Sequence, residues 1–137
     1  MTGADGRAGA RARKSPRDIE VAHVYDPPGP GDACRVLVDR IWPRGVSKQT
    51  LRFDRWMKEI APSSELRRWF HRDPGRSEEF RRRHFRELEA RTDLLVELLE
   101  SAEGRPLVLL YAARDARHNN AVALREYLQK LADGESP

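Results

Sequence analysis

Several common kinds of site need residues that this sequence hardly contains. A single cysteine, Cys34, stands among 137 residues, so the chain cannot form an internal disulfide or a cysteine-based zinc site. No stretch approaches the roughly 20 apolar residues of a membrane span. No apolar run follows the basic start of the chain either, as a secretory signal would require. We therefore expect a cytoplasmic protein with no membrane partner.

Motifs for phosphate and metal binding are missing as well. The sequence has neither GxGxxG nor GxxxxGK[ST], so nucleotide binding by a glycine-rich loop has no support. The histidines lack the spacing of metal ligands; they are His23, His71, His84 and His118. We expect no metal and no cofactor.

Charge is unevenly distributed along the chain. The formal net charge is +4, from 26 basic and 22 acidic residues. Residues 1–17 hold five of the basic residues and one of the acidic ones, so residues 18–137 carry 21 of each. The first segment, rich in glycine, alanine and arginine, has too little apolar surface to fold. We expect a disordered basic tail at 1–17, and nucleic-acid binding by this tail is possible but not favoured.

The hydrophobic pattern predicts a single α/β domain over residues 18–132, followed by a disordered C-terminus at 133–137. Apolar and β-branched runs predict an edge strand at residues 19–25 and buried strands at 34–41 and 106–112. Strands separated by helices favour a small, mostly parallel sheet of three or four strands with helices packed around it. In such sheets ligands bind beyond the carboxyl ends of the strands.

Capping residues and the helical spacing of apolar residues predict the helices. The expected starts are Ser47, for a short helical segment that reaches Ile60, then residues 62–65, Ser77 and Asp115. The helix from Ser77 is expected to break near Thr92 and to end at Gly104. The last helix is expected to bury one apolar face, formed by Ala121, Leu124, Leu128 and Leu131.

The first candidate for a functional segment is DRIWPRG, residues 39–45, where a buried strand ends. Charged residues in such a place are costly unless they are paired or bound to a ligand. In one interpretation, Arg44 or Arg40 clamps a carboxylate or phosphate, and Asp39 is an acid/base group or orients an arginine. In the other, an internal Asp–Arg salt bridge ties the loop to a helix.

The second candidate is YAARDARHNN, residues 111–120, which also follows a buried strand. Small residues let a ligand approach the backbone, and the start of a helix favours an anion. Asp115 would repel that anion unless Arg114 or Arg117 offsets its charge. Helix capping explains Asp115, but it does not explain the three polar residues of poor helix propensity at 118–120.

The two segments supply the predicted site. The catalytic candidates are Asp39 and His118. The residues predicted to bind the ligand are Arg40, Trp42, Arg44, Gly45, Tyr111, Asp115 and Asn119. Elsewhere the structural interpretation is favoured: Cys34 as a core residue, Ser63 and Ser64 as helix caps, and the arginines at 81–83 as a solvated face paired with glutamates.

Three stretches closely resemble one bacterial family, domain of unknown function 488. They are RVLVDRIWPRGVSK at 35–48, residues 56–70, and LLYAARDARHNNAVAL at 109–124. The resemblance extends over residues 19–131 and implies a cytoplasmic α/β domain without an established reaction. A role in nucleotide or nucleic-acid chemistry is only suggested. The family pattern W-[FY]-G-H-D-P is altered here, because His71 is displaced by one place and Arg72 fills the usual position, which weakens His71 as an acid/base candidate.

Two hypotheses of function follow, and the sequence does not decide whether the chain is catalytic. The first is an enzyme, or degenerate enzyme, that binds a small anionic or nucleotide-like ligand at the ends of strands 35–41 and 106–112. The alternative is a nucleic-acid or protein adaptor that uses the basic tail and the arginine-rich helix without catalysis.

Overall fold

In a computed structural model, which describes residues 18–29 and 31–134, four strands form one parallel sheet. The strands are β1 (Ile19–His23), β2 (Cys34–Leu37), β3 (Arg55–Trp56) and β4 (Leu107–Tyr111), in the spatial order β1-β4-β2-β3. The predicted α/β fold is confirmed, and β1 lies at an edge as expected. The tail predicted at 1–17 and the last residues, 135–137, lie outside the described residues.

Strand β2 is shorter than the predicted strand at 34–41. The amide of Val38 still donates to the carbonyl of Leu110 at 3.1 Å. The next contact breaks the ladder, because the amide of Ala112 donates to the Asp39 carboxylate at 2.9 Å rather than to a backbone carbonyl. The strand therefore ends where a side chain replaces the backbone as hydrogen-bond acceptor.

The helices are α1 (Ser64–Arg72), α2 (Ser77–Glu89), α3 (Thr92–Ser101) and α4 (Asn120–Ala132). The predicted start near residues 62–65 is confirmed, since the Ser63 hydroxyl accepts the amide of Leu66 at 3.1 Å and caps α1. The predicted start at Ser77 and the break near Thr92 are confirmed too. Within the described ranges, no helix is both long and apolar enough to cross a bilayer.

The helical segment expected from Ser47 to Ile60 was wrong. This stretch holds a turn, the two-residue strand β3 and a 3-10 turn at Lys58–Ile60. Backbone pairing with β2 draws it into the sheet, because Asp54 donates to the carbonyl of Arg35 and Met57 donates to that of Leu37.

The predicted end of α3 and the predicted start of α4 were also wrong. Helix α3 ends at Ser101, ahead of the predicted Gly104, which has a left-handed φ of 82°. Helix α4 begins after Asn119, not at Asp115, and its predicted inner residue Leu131 is 38% exposed. The other three predicted inner residues of α4 are buried.

The two faces of the sheet are covered differently. On one face, alternate strand residues such as Val36 and Leu109 pack against apolar side chains of α2, α3 and α4, and Cys34 is buried there as predicted. On the other face, a second cluster contains Leu37, Val108 and Leu110, and among residues 18–29 and 31–134 no helix contributes to it. Residues of the 42–56 segment cover this face instead: Trp42, Val46, Leu51, Phe53 and Trp56.

Candidate functional site

The carboxylate of Asp39 connects the two segments that the sequence singled out. It accepts the amide of Ala112 at 2.9 Å and the side-chain amide of Asn120 at 3.0 Å. Burial raises the pKa of Asp39, while these two hydrogen bonds and the charge of His23 act in the opposite direction. The predicted proximity of the two strand ends is therefore real, and Asp39 contacts the second segment rather than an arginine.

The Arg40 guanidinium is engaged by the backbone. Its Nε donates to the carbonyl of Pro62 at 3.0 Å and its Nη2 donates to that of Ala61 at 3.2 Å. These bonds attach the end of β2 to the chain just before α1. The internal Asp–Arg salt bridge, one of the two interpretations of this segment, is not formed among the described residues, and Arg40 binds backbone carbonyls instead.

Trp42 stabilises the loop after β2. Its indole Nε1 donates to the carbonyl of Val46 at 2.6 Å, and its ring lies edge-on to Phe53 and Trp56, with centroids 5.3 and 5.4 Å away. The Lys48 ammonium lies 5.5 Å from the centroid of the Trp42 ring. The half-buried indole thus closes the loop and leaves a cation above it.

Arg44 and Gly45 form the tip of this loop. The Arg44 side chain is exposed. The backbone carbonyl of Arg44 accepts a hydrogen bond from the Tyr25 hydroxyl at 2.8 Å. Gly45 has a left-handed φ of 76°, which residues with a β-carbon rarely adopt. The loop after β1 and the loop after β2 are therefore joined through Tyr25.

Asp115 organises the turn before α4. One of its oxygens accepts the amides of Arg117 and His118, at 2.9 and 3.0 Å, and the other lies 3.1 Å from His118 Nδ1. These backbone hydrogen bonds, and then the contacts with the His118 side chain, lower the pKa of Asp115. The two side chains are each 55% exposed. Asp115 and His118 therefore form an open carboxylate–imidazole pair.

Asn119 and Asn120 anchor this turn to the rest of the fold. The Asn119 side-chain oxygen accepts the amide of Val122 at 2.9 Å and caps α4. Its nitrogen donates to the carbonyl of Asp115 at 2.8 Å, and Asn119 itself is 4% exposed. The Asn120 nitrogen also reaches the carbonyl of Val38, at 2.9 Å. Asn119 is thus a buried helix cap. Asn120, one of the three polar residues that capping did not explain, was not among the predicted site residues, yet it contacts the end of β2.

Tyr111 and His23 meet where β4 and β1 end. Tyr111 is 5% exposed, its ring centroid lies 5.2 Å from that of His23, and burial raises its pKa. His23 was not predicted as a site residue. Its position as the last residue of β1 was the available signal, because parallel strands end at the same edge of a sheet.

Three further observations bear on the sequence predictions. The arginines at 81–83 are paired as expected, Arg81 with Glu78 and Glu126 and the other two with Glu79. Two clefts in the described part of the molecule, one beside Asp18 and one beside Tyr25, are not lined by Asp39, Asp115 or His118. Of the predicted site residues, Gly45 lines the cleft beside Tyr25.

The family of the chain is settled by comparison with family models. The model described as the inactive DUF488-N3 subclade matches residues 18–136. The chain belongs to this family. The resemblance to domain of unknown function 488, expected from residues 35–48, 56–70 and 109–124, is confirmed.

Relatives of this DUF488 protein occur in Escherichia coli and in mycobacteria. The uncharacterized protein YeaO of Escherichia coli (strain K12) is 40% identical over 114 residues, which are 83% of this chain and 99% of that protein. The uncharacterized protein Rv3073c of Mycobacterium tuberculosis (strain ATCC 25618 / H37Rv) is 40% identical over 111 residues, 80% of this chain and 92% of that protein. No solved structure matches the chain.

Proposed function

We propose that this DUF488 protein is a degenerate enzyme that binds a small anionic or nucleotide-like ligand at the carboxyl ends of β2 and β4, without converting it. One contrast between charged groups carries the proposal. The Asp39 carboxylate is held by internal hydrogen bonds. The guanidinium groups of Arg44, Arg114 and Arg117 are exposed, and no carboxylate of the described residues lies within 4.0 Å of them.

The hydrogen bonds that the Asp39 carboxylate already accepts argue against a catalytic role for it. A general acid or base must reach a proton on the substrate, whereas each oxygen of Asp39 already accepts a hydrogen bond from the 112–120 segment. His118 is oriented by a carboxylate, as a general base often is. Its open position on the surface offers no exclusion of water. The description of the subclade as inactive agrees with this interpretation.

The exposed arginines support binding of an anion. A guanidinium offers paired donors that match a carboxylate or phosphate. Arg114 and Arg117 flank Asp115 just before the amino end of α4, where the helix dipole also favours negative charge. They offset the carboxylate of Asp115, which His118 already contacts. The ligand class is therefore a compact anion bound on an open surface.

Amide NMR of the full chain, titrated with AMP and with inorganic phosphate, tests this proposal. We expect saturable shifts at residues 44–45 and 112–120, and an affinity for AMP that falls at least about tenfold in Arg117→Gln. Arg86→Gln, on the exposed face of α2, is the matched control and should not change the affinity. Shifts confined to other surfaces, or equal binding by both variants, would exclude the proposal.

The adaptor alternative receives less support. The arginines of the arginine-rich helix that it invokes already form salt bridges with glutamates, so the glutamates weaken their attraction for phosphates. Its other element is the basic tail at 1–17, which lies outside the described residues. That hypothesis predicts nucleic-acid affinity that falls steeply with salt and disappears when residues 1–17 are deleted.

A further inference from the structure

A cleft of about 300 Å³ lies beside the second core cluster, on the sheet face that residues 42–56 cover. One wall is the loop after β1, residues 24–28, and the other is residues 45–52. The Tyr25 hydroxyl donates to the carbonyl of Arg44 and joins the two walls. Val24 and Leu51 line the cleft and are 6% and 8% exposed, so its base is apolar.

Two arginines meet in this cleft. The Nε of Arg35 donates to the backbone carbonyl of Arg52 at 2.6 Å, and both residues line the cleft. Burial, followed by the charge of Arg52, lowers the pKa of Arg35, and Asp54 acts in the opposite direction. The Asp54 carboxylate itself accepts the backbone amide of Arg35 at 2.8 Å.

Neither guanidinium has an acidic partner in the described chain. No carboxylate of residues 18–29 and 31–134 lies within 4.0 Å of either group. A half-buried cation beside a second cation is costly without a counter-charge. An anion that enters the cleft would reduce this repulsion, and the fork geometry of arginine suits a planar carboxylate.

The outer wall suits a flat apolar group. Tyr25 is 61% exposed, yet its ring is positioned by the hydrogen bond to Arg44 and by the His23 ring, whose centroid lies 4.9 Å away. Pro27 and Pro28 continue the same wall and are exposed. An exposed aromatic ring that is already ordered can stack on another ring with little loss of freedom.

We propose that this cleft is a second binding site, for a small aromatic carboxylate whose ring packs against Tyr25 and whose carboxylate contacts Arg35 and Arg52. Asp26 lines the same cleft, and its negative charge favours a singly charged carboxylate over a phosphate. The site adjoins the anion site proposed at the carboxyl ends of β2 and β4, here called the strand-end surface, because Gly45 lines the cleft. It is distinct in its other residues, since Asp39, Asp115 and His118 do not line it.

The test is an amide NMR titration of the full chain with 2-naphthoate. We expect saturable shifts at residues 24–26 and 45–52. The uncharged 2-naphthamide and the ringless acetate should each bind at least about tenfold more weakly. Arg52→Gln should weaken 2-naphthoate binding by a similar factor, because it removes the charge and keeps the carbonyl that Arg35 contacts. Arg91→Gln, an exposed arginine at the start of α3, is the control.

A second variant, Thr50→Phe, tests the same site in case Arg52→Gln does not fold. Thr50 is exposed and lines the cleft, so Thr50→Phe should fill it and abolish 2-naphthoate binding while leaving the fold intact. The inference is overturned if 2-naphthamide binds as tightly as 2-naphthoate, if Arg52→Gln and Thr50→Phe bind like wild type, or if the shifts fall on residues 112–120. Loss of AMP binding in Arg117→Gln would concern the strand-end surface alone.

Discussion

The side chain of Asn120 donates from one nitrogen to the Asp39 carboxylate and to the carbonyl of Val38, at 3.0 and 2.9 Å. This contact fixes the first turn of α4 to the end of β2, across more than half of the chain. It also gives Asp39 a structural function, since the same carboxylate accepts the amide of Ala112 at the end of β4. The strand ends are thus held together by a polar junction.

Loss of the Asn120 side chain should destabilise the protein. Asn120→Ala leaves the Asp39 carboxylate and the Val38 carbonyl each short of a partner in a partly buried position, so we expect a loss of about 1–3 kcal/mol in the free energy of unfolding. Urea denaturation measures it. Gln129→Ala removes an exposed amide from the same helix and should have little effect. Equal stability of the two variants would show that the junction is not important.

The cap of α4 gives a second prediction. Asn119→Ala removes the acceptor for the amide of Val122 and should cost about 1 kcal/mol, whereas Asn119→Ser should retain part of that stability because its hydroxyl can still accept this amide. Asp115→Ala should cost less than Asn119→Ala, because Asp115 is exposed and caps only the preceding turn. Thermal unfolding of the three variants checks this order. The opposite order would restore Asp115 as the helix cap.

Acid should destabilise the fold through His84. This histidine is 1% exposed in α2, neither ring nitrogen has a hydrogen-bond partner in the described chain, and burial lowers its pKa from 6.5 to about 3. Below pH 6.5 the imidazole of His84 therefore binds a proton in the unfolded chain, whereas in the folded chain it stays neutral until the pH falls to about 3. The contribution of neutral His84 is fully present above the unfolded pKa and is lost as the pH falls towards the folded one.

Urea denaturation at about pH 7 and about pH 5 measures this effect, which should be on the order of 1 kcal/mol per pH unit. His84→Leu should reduce the loss of stability on acidification, because the variant has no group to protonate at this position. His71→Leu, at an exposed histidine of α1, is the control. A His84→Leu variant with the acid sensitivity of wild type would contradict the prediction.

Gly45 gives a backbone prediction in the loop that carries Arg44. Its φ of 76° is strained for any residue with a β-carbon, although nothing lies within 4 Å of the position that a β-carbon would take. Gly45→Ala should therefore cost about 1–2 kcal/mol through conformation alone. Gly29→Ala, at an equally open glycine without a positive φ, should be close to neutral in the same unfolding assay.

Elements with long hydrophobic patterns could be predicted from the sequence. The strands at the start of the domain and at 106–112 carry such patterns, and the break near Thr92 separates two clear helical repeats. Strand β3 could not be predicted, because it has two residues and depends on backbone pairing with β2. Its apolar residues also fit a helical spacing, so a local pattern alone favoured the wrong element.

The candidate site was only partly predictable for a similar reason. Parallel strand ends share one edge, so the proximity of residues 39–45 and 111–120 followed from the pattern. The choice of helix cap did not, since Asp115 and Asn119 are both good capping residues. Tertiary contacts decide it, because Asn120 is held against Val38 and Asp39 and thereby fixes where α4 starts.

The most direct test of the account is a calorimetric titration of the full chain with AMP, followed by recovery of the nucleotide. We expect the double variant Arg44→Gln/Arg117→Gln to bind at least about tenfold more weakly than wild type. Arg86→Gln/Arg91→Gln, with the same net charge, should bind like wild type, and the AMP should be recovered unchanged. Equal weakening in both double variants, or conversion of AMP by the wild-type chain, would contradict a non-catalytic anion site at the ends of β2 and β4.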